Sequence, residues 1–216
     1  RVCNRIGGAR FTLDGRHYTV AANVAPNALH GGPGGFHVRL WDAESFKRDD
    51  RAGVLFHRVS PDGEEGFPGS LDVTITISLT EHNEIIFEYR AESDAATPIN
   101  LTNHAYWNLA GAPDLARAQG SDESGTRRTA ADDAPGGAIG AHVLQINGAR
   151  YLEVDQASIP TGRIVPVAGT PLDFTDAKPI GRDIEQWPGG FDNCYVLDDP
   201  SDDDMRSAAV VVEPTS

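Results

Sequence analysis

Hydrophobic and polar positions along the chain alternate with a period of two, which is the pattern of half-buried β-strands. The clearest case is the stretch "SLDVTITISL", in which aliphatic residues occupy every second position. These residues are Leu71, Val73, Ile75, Ile77 and Leu79. A polar interruption, "EHN", separates this stretch from the β-rich "EIIFEYRA". The two stretches together predict a β-hairpin.

Two dipeptides predict tight turns between further short strands. Asp14-Gly15 lies within "FTLDGRHYTV", and Asn147-Gly148 lies within "LQINGARYL". Residues of these types accept the positive φ that tight hairpin turns require. No amphipathic pattern longer than a turn or two of helix is visible. The sequence therefore predicts an all-β, antiparallel sandwich, formed by residues 1–216 as one domain.

One long segment departs from the alternating pattern. Residues 112–141, "APDLARAQGSDESGTRRTAADDAPGGAIGA", are small, polar and rich in glycine and proline, which predicts a mobile loop. The stretch "DDPSDDDMRS" predicts a shorter acidic loop. The chain starts without methionine and ends on "VVVEPTS", within a strand-like pattern, so we expect it to be truncated at both ends.

Composition narrows the classes of partner. The chain has 216 residues, of which 39% are hydrophobic, and this is enough for a sizeable core. Its 18 basic and 32 acidic residues give a net charge of −14, which disfavours nucleic acid and anionic membranes as partners. The two cysteines, Cys3 and Cys194, form no disulfide-framework pattern, and no signal peptide is visible. We therefore expect a cytoplasmic protein.

Among the seven histidines, His104 has the most unusual surroundings. It lies in "NLTNHAYWNLAG", where amide and hydroxyl side chains could hold an imidazole in one orientation, as an acid or base requires. Tyr106 and Trp107 follow it, and they fit either the aromatic wall of a sugar site or core packing. His104 is therefore the first candidate for a catalytic residue.

His30 is the second candidate, because it precedes a glycine-rich loop in "ALHGGPGGF", where a ligand could approach the backbone. A histidine in a flexible turn is the alternative. The remaining histidines have strand or turn contexts that predict structural or exposed roles: His17, His37, His57, His82 and His142. The spacing of His30, His37 and His57 matches no common zinc site, so we expect no metal.

Two further stretches supply candidate binding groups at loop ends. Asn4 and Arg5 precede a glycine pair in "NRIGG" and could bind hydroxyl groups. Asp192 follows a glycine-rich turn in "WPGGFDNCYVLD", just before an apolar strand. Loop ends on a rigid β-scaffold are common places for binding residues.

In combination, these stretches resemble the aldose 1-epimerase (galactose mutarotase) family. The matching motifs occur in the family's order over nearly the whole chain: "RVCNRIGGARFTLDG", "NALHGGPGGFHVRLW", "SPDGEEGFPGSLDV", "TPINLTNHAYWNLAG", "HVLQI", "PTGRIVPVAGTPLDF" and "GGFDNCYVL". The resemblance implies an antiparallel β-supersandwich with an open sugar-binding cleft. It also implies that His104 protonates the sugar's ring oxygen, that His30 orients the sugar, and that Arg5 and Asp192 hold hydroxyls, with Asn4 beside them.

The implied reaction interconverts the α and β anomers of hexoses such as glucose and galactose. It involves neither redox change nor phosphoryl transfer, so we expect no cofactor, and we expect a monomer or homodimer acting on an aldose. The family's general base is a glutamate in a segment that should follow "VVVEPTS". Since that glutamate is absent, a non-catalytic sugar-binding module is the alternative. A hexose-phosphate epimerase, a third option, would need an additional Arg or Lys cluster. The family usually has a shorter connection after "NLAG" than the loop formed by residues 112–141.

Overall fold

The computed structural model describes residues 1–111, 139–198 and 205–214. These residues form β-strands joined by loops and by 3-10 helices of three residues, and they contain no α-helix. Every sheet is antiparallel, which confirms the predicted all-β fold. The chain divides into two compact units, Arg1–His104 and Ala105–Ser216. The single domain over 1–216 stays a prediction.

The first unit contains three antiparallel sheets, β1-β4, β2-β3 and β5-β6-β7-β8. Its strands are β1 (Arg5–Ile6), β2 (Arg10–Leu13), β3 (Arg16–Thr19), β4 (Ala28–Leu29), β5 (Asp42–Lys47), β6 (Arg51–Ser60), β7 (Leu71–Thr80) and β8 (Ile85–Ser93). Its 3-10 helices are Gly7–Ala9, Phe36–Val38 and Glu64–Gly66.

The described residues of the second unit form two three-stranded sheets, in the orders β11-β10-β13 and β12-β9-β14. Its strands are β9 (Val143–Ile146), β10 (Arg150–Val154), β11 (Pro160–Pro166), β12 (Lys178–Pro179), β13 (Tyr195–Val196) and β14 (Ala209–Val212). Its 3-10 helices are Ile139–Ala141, Ile180–Arg182 and Ile184–Gln186.

The alternation in "SLDVTITISL" produces β7, which pairs with β8 in the predicted hairpin. Burial of the aliphatic face varies along the strand. Leu71 and Val73 are fully buried, whereas Leu79 at the other end is 55% exposed. The stabilisation from apolar burial is therefore concentrated at the start of β7.

The predicted turn at Asp14-Gly15 is also confirmed. Both residues have positive φ (49° and 76°), and they join β2 to β3 with Leu13 opposite Arg16. A small core lies beside this hairpin. It consists of the buried residues Ala9, Val20, Ala28 and Phe67, against which Val2, Ile6 and Phe11 pack.

The hairpin predicted at Asn147-Gly148 is wrong, because β9 and β10 belong to different sheets. Asn147 instead bonds to remote chain segments. Its N–H donates to the carbonyl of Ala208, and its carbonyl accepts from the N–H of Asp198. A Cβ at Gly148 would lie 2.9 Å from the carbonyl oxygen of Val196. Glycine is therefore explained here by a close backbone approach and not by a tight turn.

Of the predicted mobile loop, residues 112–138 lie outside the described residues, as do residues 199–204 of the predicted acidic loop. Ile139–Ala141, the end of the first of these segments, form a 3-10 helix. Within the described part of the chain, no helix has both the length and the apolar character needed to cross a membrane.

Candidate functional site

Pairing between β1 and β4 brings the start of the chain beside His30. Arg5 lies opposite Leu29, and the N–H of His30 donates to the carbonyl of Asn4 at 3.0 Å. The Asn23 side chain holds Leu29 by two further bonds, donating to its carbonyl (2.9 Å) and accepting from its N–H (2.7 Å). The position of His30 is thus set by its backbone bond to Asn4 and by the Asn23 side chain, which holds the preceding residue.

Asn4 and His30 both adopt the left-handed region, with φ of 61° and 50°. For residues other than glycine this conformation stores strain, and it persists where surrounding contacts hold it. Here the N–H of Asn4 donates to Nδ1 of His30 at 3.0 Å. Because Nδ1 accepts this bond, the neutral ring carries its proton on Nε2, which can then donate to a ligand.

The glycine-rich loop after His30 is tightly folded. The N–H of Gly32 donates to Leu29, and the N–H of Gly35 donates to Gly32. A Cβ at Gly35 would lie 2.6 Å from the carbonyl oxygen of His30, so only glycine fits there. These contacts give the turn after His30 a defined backbone geometry.

An isolated parallel bridge between Val2 and Asn100 brings the segment that contains His104 to the same place. The N–H of Cys3 donates to the carbonyl of Asn100 (2.8 Å), and the N–H of Asn100 donates to the carbonyl of Arg1 (3.1 Å). As a result the rings of His30 and His104 lie with their centroids 5.3 Å apart at an interplanar angle of 86°.

The two imidazoles line a cavity of about 220 Å³ in the first unit. Its lining residues are Arg1, Val2, Cys3, His30, Phe36, His37, Asn100, Leu101, Thr102 and His104. The lining therefore combines three imidazoles with apolar and amide groups, and such a mixture can bind a small polyhydroxylated molecule.

Burial lowers the pKa of His30 below its usual value, and the nearby charges of His104, His37 and Arg5 lower it further. Desolvation and positive neighbours both disfavour the imidazolium form. The lowered pKa therefore favours the neutral form of His30, which presents an N–H donor instead of a positive charge.

A second group of residues supports the Phe36 side of the cavity. The guanidinium of Arg58 lies 4.8 Å from the ring centroid of Phe36, and Trp41 Nε1 donates to the Phe36 carbonyl (3.1 Å). Arg58 in turn donates to Glu64 at 2.9 Å. Burial alone would raise the pKa of Glu64, but hydrogen bonds from Arg58 and Ser60 hold it below its usual value. Arg58, which lies on β6, thus links that strand to the lining residue Phe36, and Glu64 holds its guanidinium in place.

The predicted site residues divide between the two units. His30 and His104 line the cavity together, whereas Asn4 and Arg5 lie beside it and bond to each other, from Nη1 to Oδ1 at 3.1 Å. Asp192 belongs to the second unit, where it is exposed in the loop between Ile184–Gln186 and β13.

Sequence reasoning missed several lining residues, of which His37 is the most informative. Its apolar neighbours predicted a structural role, but it lies on the 3-10 helix Phe36–Val38 and contributes to the cavity. No signal in the sequence pattern distinguishes it from a strand residue. His57, the third residue of the zinc alternative, instead pairs with Asp72 (Nε2 to Oδ1, 3.0 Å) across β6 and β7.

The aromatic pair after His104 is exposed. Tyr106 is 89% exposed and Trp107 is 61% exposed, which rules out core packing for either ring within the described residues.

Comparisons with known proteins identify relatives of this chain. The model of the family described as Aldose 1-epimerase matches residues 1–216. A galactose mutarotase from Sus scrofa is 40% identical over 198 residues, covering 91% of this chain and 50% of that protein. An aldose 1-epimerase from Escherichia coli (strain K12) is 36% identical over 215 residues, covering 97% of this chain and 55% of that protein.

Solved structures show the same likeness in fold. A galactose 1-epimerase from Lactobacillus acidophilus NCFM superposes with a TM-score of 0.78 at 25% identity, covering 99% of this chain and 56% of that one. A GalM/aldose epimerase homologue from C. elegans gives a TM-score of 0.75 at 27% identity, with 99% and 57% covered. The chain thus spans about half the length of the relatives that it matches.

Proposed function

The chain belongs to the aldose 1-epimerase family, and from this premise we propose that its protein interconverts the α and β anomers of a hexose such as galactose or glucose. The observation that carries the proposal is the pair of imidazoles, 5.3 Å apart, in one cavity of sugar-compatible lining.

Anomer exchange requires the hemiacetal ring to open, the C1–C2 bond to rotate and the ring to close again. Opening needs one proton delivered to the ring oxygen and another removed from the C1 hydroxyl. A group that titrates near neutral pH suits the first transfer, and each positioned acid or base contributes about 10²–10⁴-fold in rate. Imidazole is the side chain whose ordinary pKa fits this task.

We assign the general acid to His104 and the orienting role to His30. His30 uses Nδ1 to accept from Asn4, so its Nε2–H is available to donate to a sugar oxygen while the ring stays neutral. A ring held in this way positions the substrate without delivering a positive charge. His104 lies edge-to-face with it and would approach the ring oxygen from the neighbouring wall.

The remaining groups of the proposed site bind hydroxyls. Arg5 would hold a sugar hydroxyl, and Asn4 would fix Arg5 through their mutual hydrogen bond. For Asp192, in the second unit, the same role is what the family resemblance implies. The family resemblance implies a glutamate as the general base, and His104 supplies the acid half of the proposed reaction.

The proposed partner is a free aldose, and the proposed location is the cytoplasm. Cys3 and Cys194 are both free thiols, which fits a reducing compartment. For the oligomeric state we propose a monomer or homodimer, which native mass spectrometry of the full-length protein distinguishes.

Polarimetry of freshly dissolved α-D-galactose and α-D-glucose with the full-length protein tests the proposed function. The wild type is expected to speed equilibration well beyond buffer alone. His104→Gln is expected to lower kcat by about 10²–10⁴-fold, because it removes the proton donor. The melting temperature should hardly change, since this side chain is exposed.

His17→Gln is the matched control, because His17 is an exposed histidine on β3 that bonds to Thr12. It should retain wild-type turnover. A His104→Gln variant with near wild-type kcat would show that His104 is not the acid. Sugar binding by the wild type with no turnover would instead support the sugar-binding module.

A further inference from the structure

His142 is a buried imidazole outside the cavity, with only 2% of the residue exposed. It lies in the second unit between the 3-10 helix Ile139–Ala141 and β9, and its backbone is fixed on both sides. Its N–H donates to the carbonyl of Ile139 (3.0 Å), and its carbonyl accepts from the N–H of Ile180 (2.9 Å). A buried imidazole on so fixed a backbone can hold another segment in place.

The side chain of His142 holds the chain that follows His104. Nε2 accepts a hydrogen bond from the backbone N–H of Leu109 at 3.1 Å, and Leu109 is five residues beyond His104 in sequence. Residues 101–108 have no regular secondary structure, so no strand ladder fixes their course. The end of this irregular segment is therefore fixed by individual bonds, of which His142 supplies one.

A local turn contains the residue that His142 holds. The N–H of Ala110 donates to Asn108 Oδ1, and the N–H of Gly111 donates to the Asn108 carbonyl, each at 3.1 Å. These bonds close a turn over residues 108–111, in which the amide of Leu109 points to His142. At its other end the irregular segment is anchored by Asn100, which bonds to the backbone of Arg1 and Cys3.

The hydrogen bond to Leu109 fixes the chemical form of His142. Because Nε2 is the acceptor, the ring must be neutral with its proton on Nδ1. That Nδ1 is buried and has no hydrogen-bond partner among the described residues. The ring thus keeps a buried polar atom unsatisfied while it serves the Leu109 amide, which is a cost that a purely space-filling apolar residue would avoid.

We propose that His142 is a positioning residue for the reaction: as the Nδ1–H tautomer it holds the Leu109 amide and so fixes the segment that carries His104. This inference rests on the proposed function. In this role His142 does not contact the substrate, and it acts by orienting His104, the proposed general acid.

Turnover of the full-length protein with galactose tests this role through three variants. His142→Met replaces the imidazole acceptor with a thioether, which is a weak acceptor, at similar size. We expect kcat to fall about tenfold to hundredfold with KM nearly unchanged, because misplacement by about 1 Å carries a cost of that order. His142→Gln places an amide oxygen near the position of Nε2 and is expected to recover kcat to within about threefold of wild type.

Tyr195→Phe is the matched control, because it removes another partly buried bond of the same unit, from the Tyr195 hydroxyl to the Leu172 carbonyl (2.8 Å). It should lower the melting temperature and leave kcat unchanged. If His142→Met also loses only stability, the positioning role is wrong even though the enzyme turns over. If the wild type itself fails to turn over, the proposed function is wrong instead.

Nitrogen-15 NMR of histidine-labelled wild-type protein provides a test that needs no variant. The expected spectrum for His142 is that of the Nδ1–H tautomer, with slow hydrogen exchange at the Leu109 amide. An Nε2–H tautomer, or a rapidly exchanging Leu109 amide, would overturn the proposal even if His142→Met failed to fold.

Discussion

The sheet β5-β6-β7-β8 and the cavity lining lie in the same unit, but they are held together in different ways. In the sheet, ten successive residue pairs join β6 to β7, from Arg51–Thr80 to Ser60–Leu71. At the cavity, β1 and β4 have two residues each, and individual hydrogen bonds set the positions of the other lining residues. Regular pairing distributes stability over many residues, whereas the cavity depends on a few.

This difference suggests a division of labour within the unit. A strand ladder fixes which face each side chain occupies, so it makes a stable platform. Short strands and positive-φ residues such as Asn4 and His30 let side chains converge on a ligand, and the platform must support their strain. Arg58 connects the two, because it lies on β6 and stacks on Phe36. Mutations in the platform should therefore affect stability, and mutations at the cavity should affect turnover.

The largest effect on stability is expected from Leu71→Ala on β7. Leu71 is fully buried, so the loss of apolar burial and the resulting cavity should cost about 2–5 kcal/mol in the free energy of unfolding. Leu79→Ala, at the 55% exposed end of the same strand, should cost less than about 1 kcal/mol. Urea unfolding of the full-length protein measures both. Equal losses of unfolding free energy in the two variants, or a large fall in kcat below the melting temperature, would contradict the assignment of stability to the sheet and turnover to the cavity.

A smaller effect that depends on pH is expected from Glu64→Gln, at the link between platform and cavity. The pKa of Glu64 is held low in the folded state, so its ion pair stabilises the fold above the unfolded pKa. That contribution is lost as pH falls through the folded pKa. Glu64→Gln should therefore lower the melting temperature at neutral pH and have less effect in acid.

Glu88→Gln is the control for this series, because Glu88 is an exposed carboxylate whose pair with Arg51 is long, at 3.8 Å. Its melting temperature should follow that of the wild type across the pH range. A Glu64→Gln deficit that grew in acid would show that the carboxylate is not stabilised as its folded pKa implies.

The smallest expected effect concerns the pKa of His30. After burial, the charge of His104 is the largest cause of its lowered pKa, followed by that of His37. NMR titration should therefore show the His30 pKa rising in His104→Gln, and rising less in His37→Gln. His17→Gln should leave it unchanged. A His30 pKa that is insensitive to His104 would mean that the two rings do not share the cavity.

The platform was largely predictable from the sequence, and the hairpins show why. The period-two pattern around Leu71 and the Asp14-Gly15 turn are local signals, so each predicted its own hairpin correctly. Asn147-Gly148 carries an equally good local signal, but its backbone partners Ala208 and Asp198 are remote in sequence. A local pattern contains no information about which distant strand competes for a residue's hydrogen bonds.

The cavity was predictable only in part. His30 and His104 could be selected because glycine and polar neighbours make each unusual, and they do line one cavity. The two histidines meet because a bridge joins Val2 to Asn100, and no periodic pattern in the sequence predicts that bridge. For the same reason His37 could not be distinguished from a strand histidine. The hydrogen bond from Leu109 to His142 could not be predicted from the sequence pattern either.

Histidine NMR of the full-length protein during a galactose titration is the most direct test of whether the sugar binds between His30 and His104. If the cavity between His30 and His104 is the sugar site, the imidazole signals of both residues shift in parallel and saturate at one dissociation constant. Those of His17 and His57, which bond to Thr12 and Asp72 away from the cavity, remain in place. Saturable binding that leaves the His30 and His104 signals unmoved would contradict the account.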